Sequence, residues 1–400
     1  MTNSTIVENP IELQEQTKLN TAKSKLRKLR DELNNKYYQR SIEIDLCLIA
    51  YLIKEHIYLG GPPGTGKTSL AKDIASAMES NSFYYLMSKT TTIDEILGAI
   101  DIKALNQGVL KRDLSRGVAN AEIVILDEGF KANSICLNTM LGLMLDREVV
   151  NAGVTVPTPL RTMIVCSNEL PESEVLAPFW DRLSFRCWVK NISRANKRRM
   201  MWREVQGKSV TITTQIDAVE QQELLTAIDS ITIEKETIKN IVKITAELEQ
   251  DLNLIVSTRK HNQLIKILQA CAFINDRDTV DEEDLNYLEF ILWDELEQIE
   301  KIKEIIARFA SPLKLEISNL LSLAESEFKE VKPYDGGESR SVWSTFKSKK
   351  EIAIEEILEQ LTSLSLTNPN LADKLFYTNA LNSVKSQLKE IALYSQEAYK

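Results

Sequence analysis

Gly60-Gly-Pro-Pro-Gly-Thr-Gly-Lys-Thr-Ser-Leu-Ala71 is the stretch on which the reading of this 400-residue chain turns. It holds the full spacing Gly61-x4-Gly66-Lys67-Thr68, after the short apolar run His56-Ile57-Tyr58-Leu59 and before Ser69 to Ala75, which has helical character. Strand, glycine-rich turn and helix in that order are the context a phosphate-binding loop requires. Glycines at 61, 64 and 66 let backbone N–H groups turn inward around an anion, and the helix N-terminus adds positive potential. Pro62, Pro63, Thr65 and Ser69 complete the candidate nucleotide-binding set with Gly61, Gly64, Gly66, Lys67 and Thr68. Lys67 is expected to neutralise the β- and γ-phosphates and Thr68 to hold Mg²⁺ by its hydroxyl, so ATP and Mg²⁺ are the expected ligands.

Working outward, Glu122-Ile-Val-Ile-Leu-Asp-Glu128 runs apolar into two carboxylates, the Walker B pattern that accompanies such a loop. Asp127 is expected to reach Mg²⁺ through water, and Glu128 to accept a proton from, or orient, an attacking water. Between them, Ser82 to Met87 has strand composition, and Thr91-Thr92-Ile93-Asp94-Glu95-Ile96-Leu97-Gly98 reads as a cap followed by a helical turn. Beyond them come a helix from Ser134, a hairpin-like alternation from Asp146 to Pro157, and the buried strand Thr162 to Cys166 ending at Ser167-Asn168. A polar amide directly after a core strand costs desolvation unless partnered, which makes Asn168 a candidate γ-phosphate sensor. The alternation of strands and helices implies a parallel sheet.

From Ser193 onward the pattern is helical: Arg194–Val205, Ala218–Ser230, Glu234–Asp251, Arg259–Ile274, and a long helix starting near Asp281. Leu313–Val331, Phe346–Leu364 and Leu371–Tyr399 are expected to form a small bundle around the loop at 332–341. At the other end, Leu19, Ala22, Leu26, Leu29 and Leu33 form one apolar helical stripe flanked by Lys18, Lys23, Lys25, Arg27, Lys28 and Arg30. Those cations read either as a phosphate or acidic-partner surface or as the solvated flank of a helix packed on its own domain.

Composition narrows the classes. A net charge of −9 argues against a protein that coats nucleic acid. Five scattered cysteines read as reduced core thiols, and two histidines leave few ligands for a zinc site. Neither a signal peptide nor a membrane-spanning run is legible, so a cytoplasmic location is expected.

Taken together, the motifs resemble the AAA+ ATPases, within them the MoxR group, and most closely its RavA-like branch. Beyond the phosphate loop and Walker B, the resemblance rests on Tyr85-Leu-Met-Ser88, Leu137-Asn-Thr-Met-Leu141, Ser167-Asn-Glu-Leu-Pro-Glu172, Asp181-Arg-Leu183 and Ser257-Thr-Arg-Lys260. It implies an α/β fold, a P-loop NTPase (AAA+) parallel-sheet core with an all-α lid and a C-terminal helical bundle. It also implies a homo-hexameric ring that hydrolyses ATP and remodels or matures a client, with a von Willebrand factor A domain protein as partner. Asn168 would be the first sensor, Arg182 the arginine finger reaching a neighbouring subunit's nucleotide, and Arg259 the second sensor on the lid. Without the resemblance, such arginines read as surface ion-pair residues. Gly129-Phe130 departs from the bulkier apolar residue usual in relatives, and the loop at 332–341 stands where longer RavA-like members carry a partner-binding insertion. The expected domains are 1–38, 39–192 (core), 193–305 (lid) and 306–400. A nucleic-acid motor using the basic helix and Lys197-Arg198-Arg199, or a nucleotide-gated scaffold, are the alternatives.

Overall fold

An apolar stripe at steps of three and four forms a helix only if something covers it, and here the same unit does so. The computed structural model describes residues 10–171, 176–208, 210–310, 312–332, 339–367 and 375–398, and the chain divides after residue 302 into two compact units. The first begins with α1 (Pro10–Lys36), whose Ala22, Leu26, Leu29 and Leu33 are at most 4% exposed. The flanking cations find partners in this unit. Lys25 pairs with Glu220, Arg27 with Asp276, and Arg30 with Asp45 and the Ile274 carbonyl, while Lys23 lies over the Phe273 ring. That is the packed-helix reading of the basic flank. Helix α2 (Ser41–Leu52) is buried from Glu43 onward against α1 and the sheet.

The core then alternates: β1 (Ile57–Gly60), α3 (Lys67–Ala77), β2 (Ser82–Leu86), α4 (Ile93–Leu97), α5 (Ile102–Leu105), β3 (Ile123–Asp127) and α6 (Ser134–Asp146). Next come β4 (Glu148–Asn151), β5 (Val154–Pro157), β6 (Thr162–Ser167), α7 (Ala177–Asp181) and β7 (Phe185–Trp188). Five strands pair in parallel in the order β2-β3-β6-β1-β7. The inner strands β1, β3 and β6 are buried almost throughout, as continuous apolar runs in a doubly covered sheet must be. The edge strand β2 alternates exposed with half-buried residues. Because Gly60 pairs with Ser167 and Asp127 with Cys166, the phosphate loop, the acids after β3 and Asn168 after β6 leave the sheet at one edge. The expected hairpin is β4–β5, turned by Ala152 and Gly153 at φ 53° and 77°. The capped turn predicted at Thr91–Glu95 is α4, with a capping box between Thr92 and Glu95.

After the sheet come α8 (Arg194–Val205), α9 (Ala218–Asp229), the two-residue strand β8 (Thr232–Ile233), α10 (Lys235–Leu252), α11 (Thr258–Ile274), β9 (Thr279–Val280) and α12 (Gln298–Ala310). The single long helix expected from near Asp281 is not formed. Asp281 caps a 3₁₀ segment, Glu282–Phe290, and the chain is irregular until α12. The cause is tertiary: Trp293, 1% exposed, donates its indole N–H to the Arg186 carbonyl, and Arg186 donates back to the Trp293 carbonyl and the Asp294 carboxylate. Continuing the helix would break that exchange.

The second unit packs α13 (Pro312–Glu330), α14 (Arg340–Thr367) and α15 (Leu375–Ala398) pairwise around Ile317, Ala324, Ile354, Leu361, Val384 and Ile391. Helix α14 starts at Arg340, earlier than the expected Phe346. The loop residues 333–338, the expected helix start at Leu371, and Glu172 lie outside the described residues.

Candidate active site

Backbone geometry at the phosphate loop explains its glycines. Gly61 has φ 133°, and a Cβ there would lie 2.3 Å from the Val189 carbonyl oxygen. Gly66, in the left-handed region, is the N-cap of α3 and supplies no side-chain cap, so the first-turn N–H groups are available to an anion. Lys67 Nζ donates to the carbonyls of Gly61 (2.6 Å) and Pro62 (3.0 Å), holding the ammonium on its own loop. Burial lowers the Lys67 pKa, against the opposing pull of Cys166, Glu128 and Asp127. Thr65 Oγ1 donates to the Pro62 carbonyl at 2.9 Å. Arg40, 6% exposed, donates to Lys190 O at 2.8 Å and reaches Thr65 O at 3.4 Å, tying the loop to the segment that leads into α8. No sequence motif marked Arg40.

At the end of β3, Asp127 is half-buried and accepts a hydrogen bond from Tyr84 Oη at 3.2 Å. Glu128 takes a left-handed conformation (φ 53°, ψ 40°), which aims the two acids differently and costs on the order of 1 kcal/mol for a non-glycine residue. Its Oε2 is buried without a hydrogen-bond partner, although Lys131 Nζ stands 3.3 Å away. Asn168 Oδ1 is likewise buried and unpartnered. Below the loop, the Cys166 thiol is pushed up to about 12, first by burial and then by Asp127, with the Thr68 hydroxyl hydrogen-bonded to it. Thr68, Lys67, Asp127 and Glu128 thus share one environment around Cys166. An anion cradle, two carboxylates, a hydroxyl and the buried, unpartnered Asn168 Oδ1 are a donor set that fits a nucleotide phosphate chain with Mg²⁺.

The two predicted arginines are brought together on one acid. Asp181, the last residue of α7, accepts from Arg182 Nη1 at 3.0 Å and from Arg259 Nη2 at 3.4 Å. Arg182 Nε is a third buried polar atom without a partner. Next to this pair, Arg186 is 1% exposed and lies 4.4 Å from the centroid of the Trp180 ring. Burial and the Arg186 guanidinium push Lys260, beside Arg259, down to about 7. The Gly129-Phe130 departure has a packing reason. A Cβ on Gly129 would meet Val165 Cγ1 at 2.4 Å, and Phe130 fills the space between Tyr58, Phe179 and Trp180 with ring centroids 5.4–6.3 Å apart.

Residues 24–230, over half of the chain, match the family model described as the MoxR domain in the MoxR-vWA-beta-propeller ternary systems. The chain belongs to the MoxR family of AAA+ ATPases. Residues 236–306 of this MoxR protein match an AAA lid domain, a span that takes in α10, α11 with Arg259, the 3₁₀ segment and the irregular stretch with Trp293. It is 32% identical over 372 residues to the uncharacterized protein MJ0812 of Methanocaldococcus jannaschii, covering 92% of this chain and 96% of that protein. MJ0079 of the same organism is 33% identical over 287 residues, 70% of this chain and 73% of that one. The crystal structure of a protein assigned as an ATPase from Cytophaga hutchinsonii superposes with a TM-score of 0.61 at 20% identity, over 75% of this chain and 98% of that one, which shows the fold alone.

Proposed function

We propose that this MoxR protein hydrolyses ATP with Mg²⁺ as a homo-hexameric ring and uses the lid to remodel or mature a client protein. The observation that carries the reading is the meeting, at the C-terminal ends of the central strands, of the Lys67 loop with Glu128, whose Oε2 is buried with no hydrogen bond beside the Lys131 ammonium, and with the buried, unpartnered Asn168 Oδ1. In that reading the loop N–H groups and Lys67 bind the phosphates, while Thr68 and Asp127 hold the metal. Bound Mg²⁺ supplies charge neutralisation across the β- and γ-phosphates. Glu128 takes a proton from the attacking water or orients it, and Asn168 fixes that water's position relative to the γ-phosphate. Arg182 reaches the neighbouring subunit's nucleotide and stabilises charge in the transition state. Arg259 reports nucleotide state to the lid, within a working division of core 39–192, lid 193–305 and C-terminal helices 306–400.

The description of the matched family model supports a von Willebrand factor A domain protein as partner, with a β-propeller chain as a third member. The RavA-like placement rests on the motif resemblance alone, and the matched model favours the ternary-system type. Free thiols at all five buried cysteines support a reducing, cytoplasmic setting.

The test is steady-state ATP hydrolysis against protein concentration, with mass measured in parallel with and without Mg²⁺ and ATP. Turnover per subunit that rises as a six-subunit species forms is the expected result. Concentration-independent turnover by a monomer overturns the ring.

A further inference from the structure

The edge strand β2 carries a tyrosine whose placement the reading above does not use. Tyr84 lies on the solvent side of the strand and is 40% exposed, yet its hydroxyl donates to Asp127 Oδ2 at 3.2 Å. Its ring is held from above by Lys72, whose Nζ stands 3.4 Å from the centroid. Lys72 lies on α3, four residues after Thr68, so one face of one helix presents both the Thr68 hydroxyl and the Lys72 ammonium. A chain of contacts therefore runs from the helix that carries Thr68, through Lys72 and the Tyr84 ring, to the carboxylate of Asp127. One end is Asp127, assigned to the metal, and the other is Lys72, one turn along α3 from Thr68, the second residue assigned to it.

We infer that Tyr84, braced by Lys72, is a positioning residue for the Mg²⁺ site, setting the orientation of the Asp127 carboxylate. The inference rests on the assignment of Asp127 and Thr68 to Mg²⁺. A carboxylate offers about four lone-pair directions on two oxygens. The Tyr84 phenol occupies one on Oδ2 and stops the group rotating about its last bond, and among the described residues it is the one hydrogen-bond donor recorded to this carboxylate. A cation over the ring face draws electron density from the phenol, making its O–H a better donor, and fixes the ring plane. Tyr84 stays 40% exposed, and among the described residues Lys72 forms no ion pair, so the ring face is the partner of its ammonium.

The test is equilibrium binding of a fluorescent N-methylanthraniloyl-ADP to the full chain, first in EDTA and then along a Mg²⁺ titration. Tyr84→Phe removes one oxygen and keeps the ring. Its affinity in EDTA is expected to equal that of the parent, while the Mg²⁺ midpoint rises about tenfold, as loss of an outer-shell partner to a metal ligand typically costs. Lys72→Met, which keeps the length and removes the charge, is expected to move the midpoint the same way by about two- to fivefold. Asp127→Asn is the reference, expected to shift it at least as far as Tyr84→Phe. If Asp127→Asn shifts the midpoint and Tyr84→Phe does not, the inference fails and the metal assignment stands. If Asp127→Asn leaves it unchanged, the metal assignment fails and takes the inference with it. Weakened binding in EDTA for Tyr84→Phe also overturns the inference, since a positioning role leaves metal-free affinity alone.

Discussion

Glu128 holds a left-handed backbone conformation one residue after a buried strand, and its carboxylate keeps a buried oxygen without a hydrogen bond. Backbone strain, together with a buried oxygen that has the Lys131 ammonium nearby but no hydrogen bond, fits the proposed role of a group kept for an incoming water. Glu128→Gln preserves shape while removing basicity, so ATP binding is expected to persist while turnover falls about 10²- to 10⁴-fold. Near-parental single-turnover hydrolysis would reject the role. A second residue controls acid stability. Glu32 on α1 accepts the backbone N–H groups of Thr213 and Thr214 and both their hydroxyls, at 2.8–3.0 Å. Burial works to raise its pKa, but these four bonds prevail and hold it at about 2. Because the unfolded value is about 4.3, the folded state binds fewer protons between the two. The contribution is therefore complete above about pH 4.3 and is lost as pH falls towards 2. Urea midpoints of the parent are expected to drop over that window more steeply than those of Glu32→Gln, and parallel curves would count against the clamp. That Lys67, Thr68, Asp127 and Glu128 would lie together, with Asn168 at the end of the neighbouring strand, was legible because two local motifs and one strand end mark them. Tyr84 and Arg40 were not, because their partners lie 43 and 150 residues away.

Among the elements, α7 and the start of α11 meet through a single carboxylate. Asp181 engages Arg182 and Arg259 together, so both are held in place on an acid that competes with phosphate for them. The three side chains are 22–49% exposed, and pairs of that kind are worth at most about 1 kcal/mol. Asp181→Asn is accordingly expected to tighten nucleotide binding about two- to fivefold, read by titration with a fluorescent ATP analogue. Unchanged or weakened affinity means that Asp181 does not restrain the arginines. Helices with a cap signal were legible almost to the residue, as Arg194–Val205 after Ser193 and the capped turn after Thr92 show. The broken stretch after Asp281 was not, since acidic capping describes a helix start there, while the partner that engages the Trp293 carbonyl, Arg186, is 107 residues away in sequence.

For the molecule as a whole, the parallel sheet and the lid were recoverable from the motifs, whereas the strand order β2-β3-β6-β1-β7 was not, because it is set by pairing between distant segments; the expected boundary at 305/306 stands three residues from the division after residue 302. A ring with shared sites makes a prediction no single subunit can satisfy. Arg182→Ala subunits keep an intact phosphate loop and lack the finger, while Lys67→Ala subunits lack the loop and keep the finger. Each alone is expected to be inactive, and mixtures are expected to recover part of the turnover; no recovery at any ratio would remove Arg182 from between subunits. The aromatic cluster also gives the protein an optical gauge of its own. Trp180 on α7 and Trp293 in the lid stand edge to face at 5.6 Å with the Arg186 cation against the Trp180 ring. Indole emission is sensitive to nearby charge and to ring–ring distance. If the lid swings away from α7 as proposed, the motion would therefore be written into the intrinsic fluorescence, and it can be timed in a stopped-flow cell without attaching a dye.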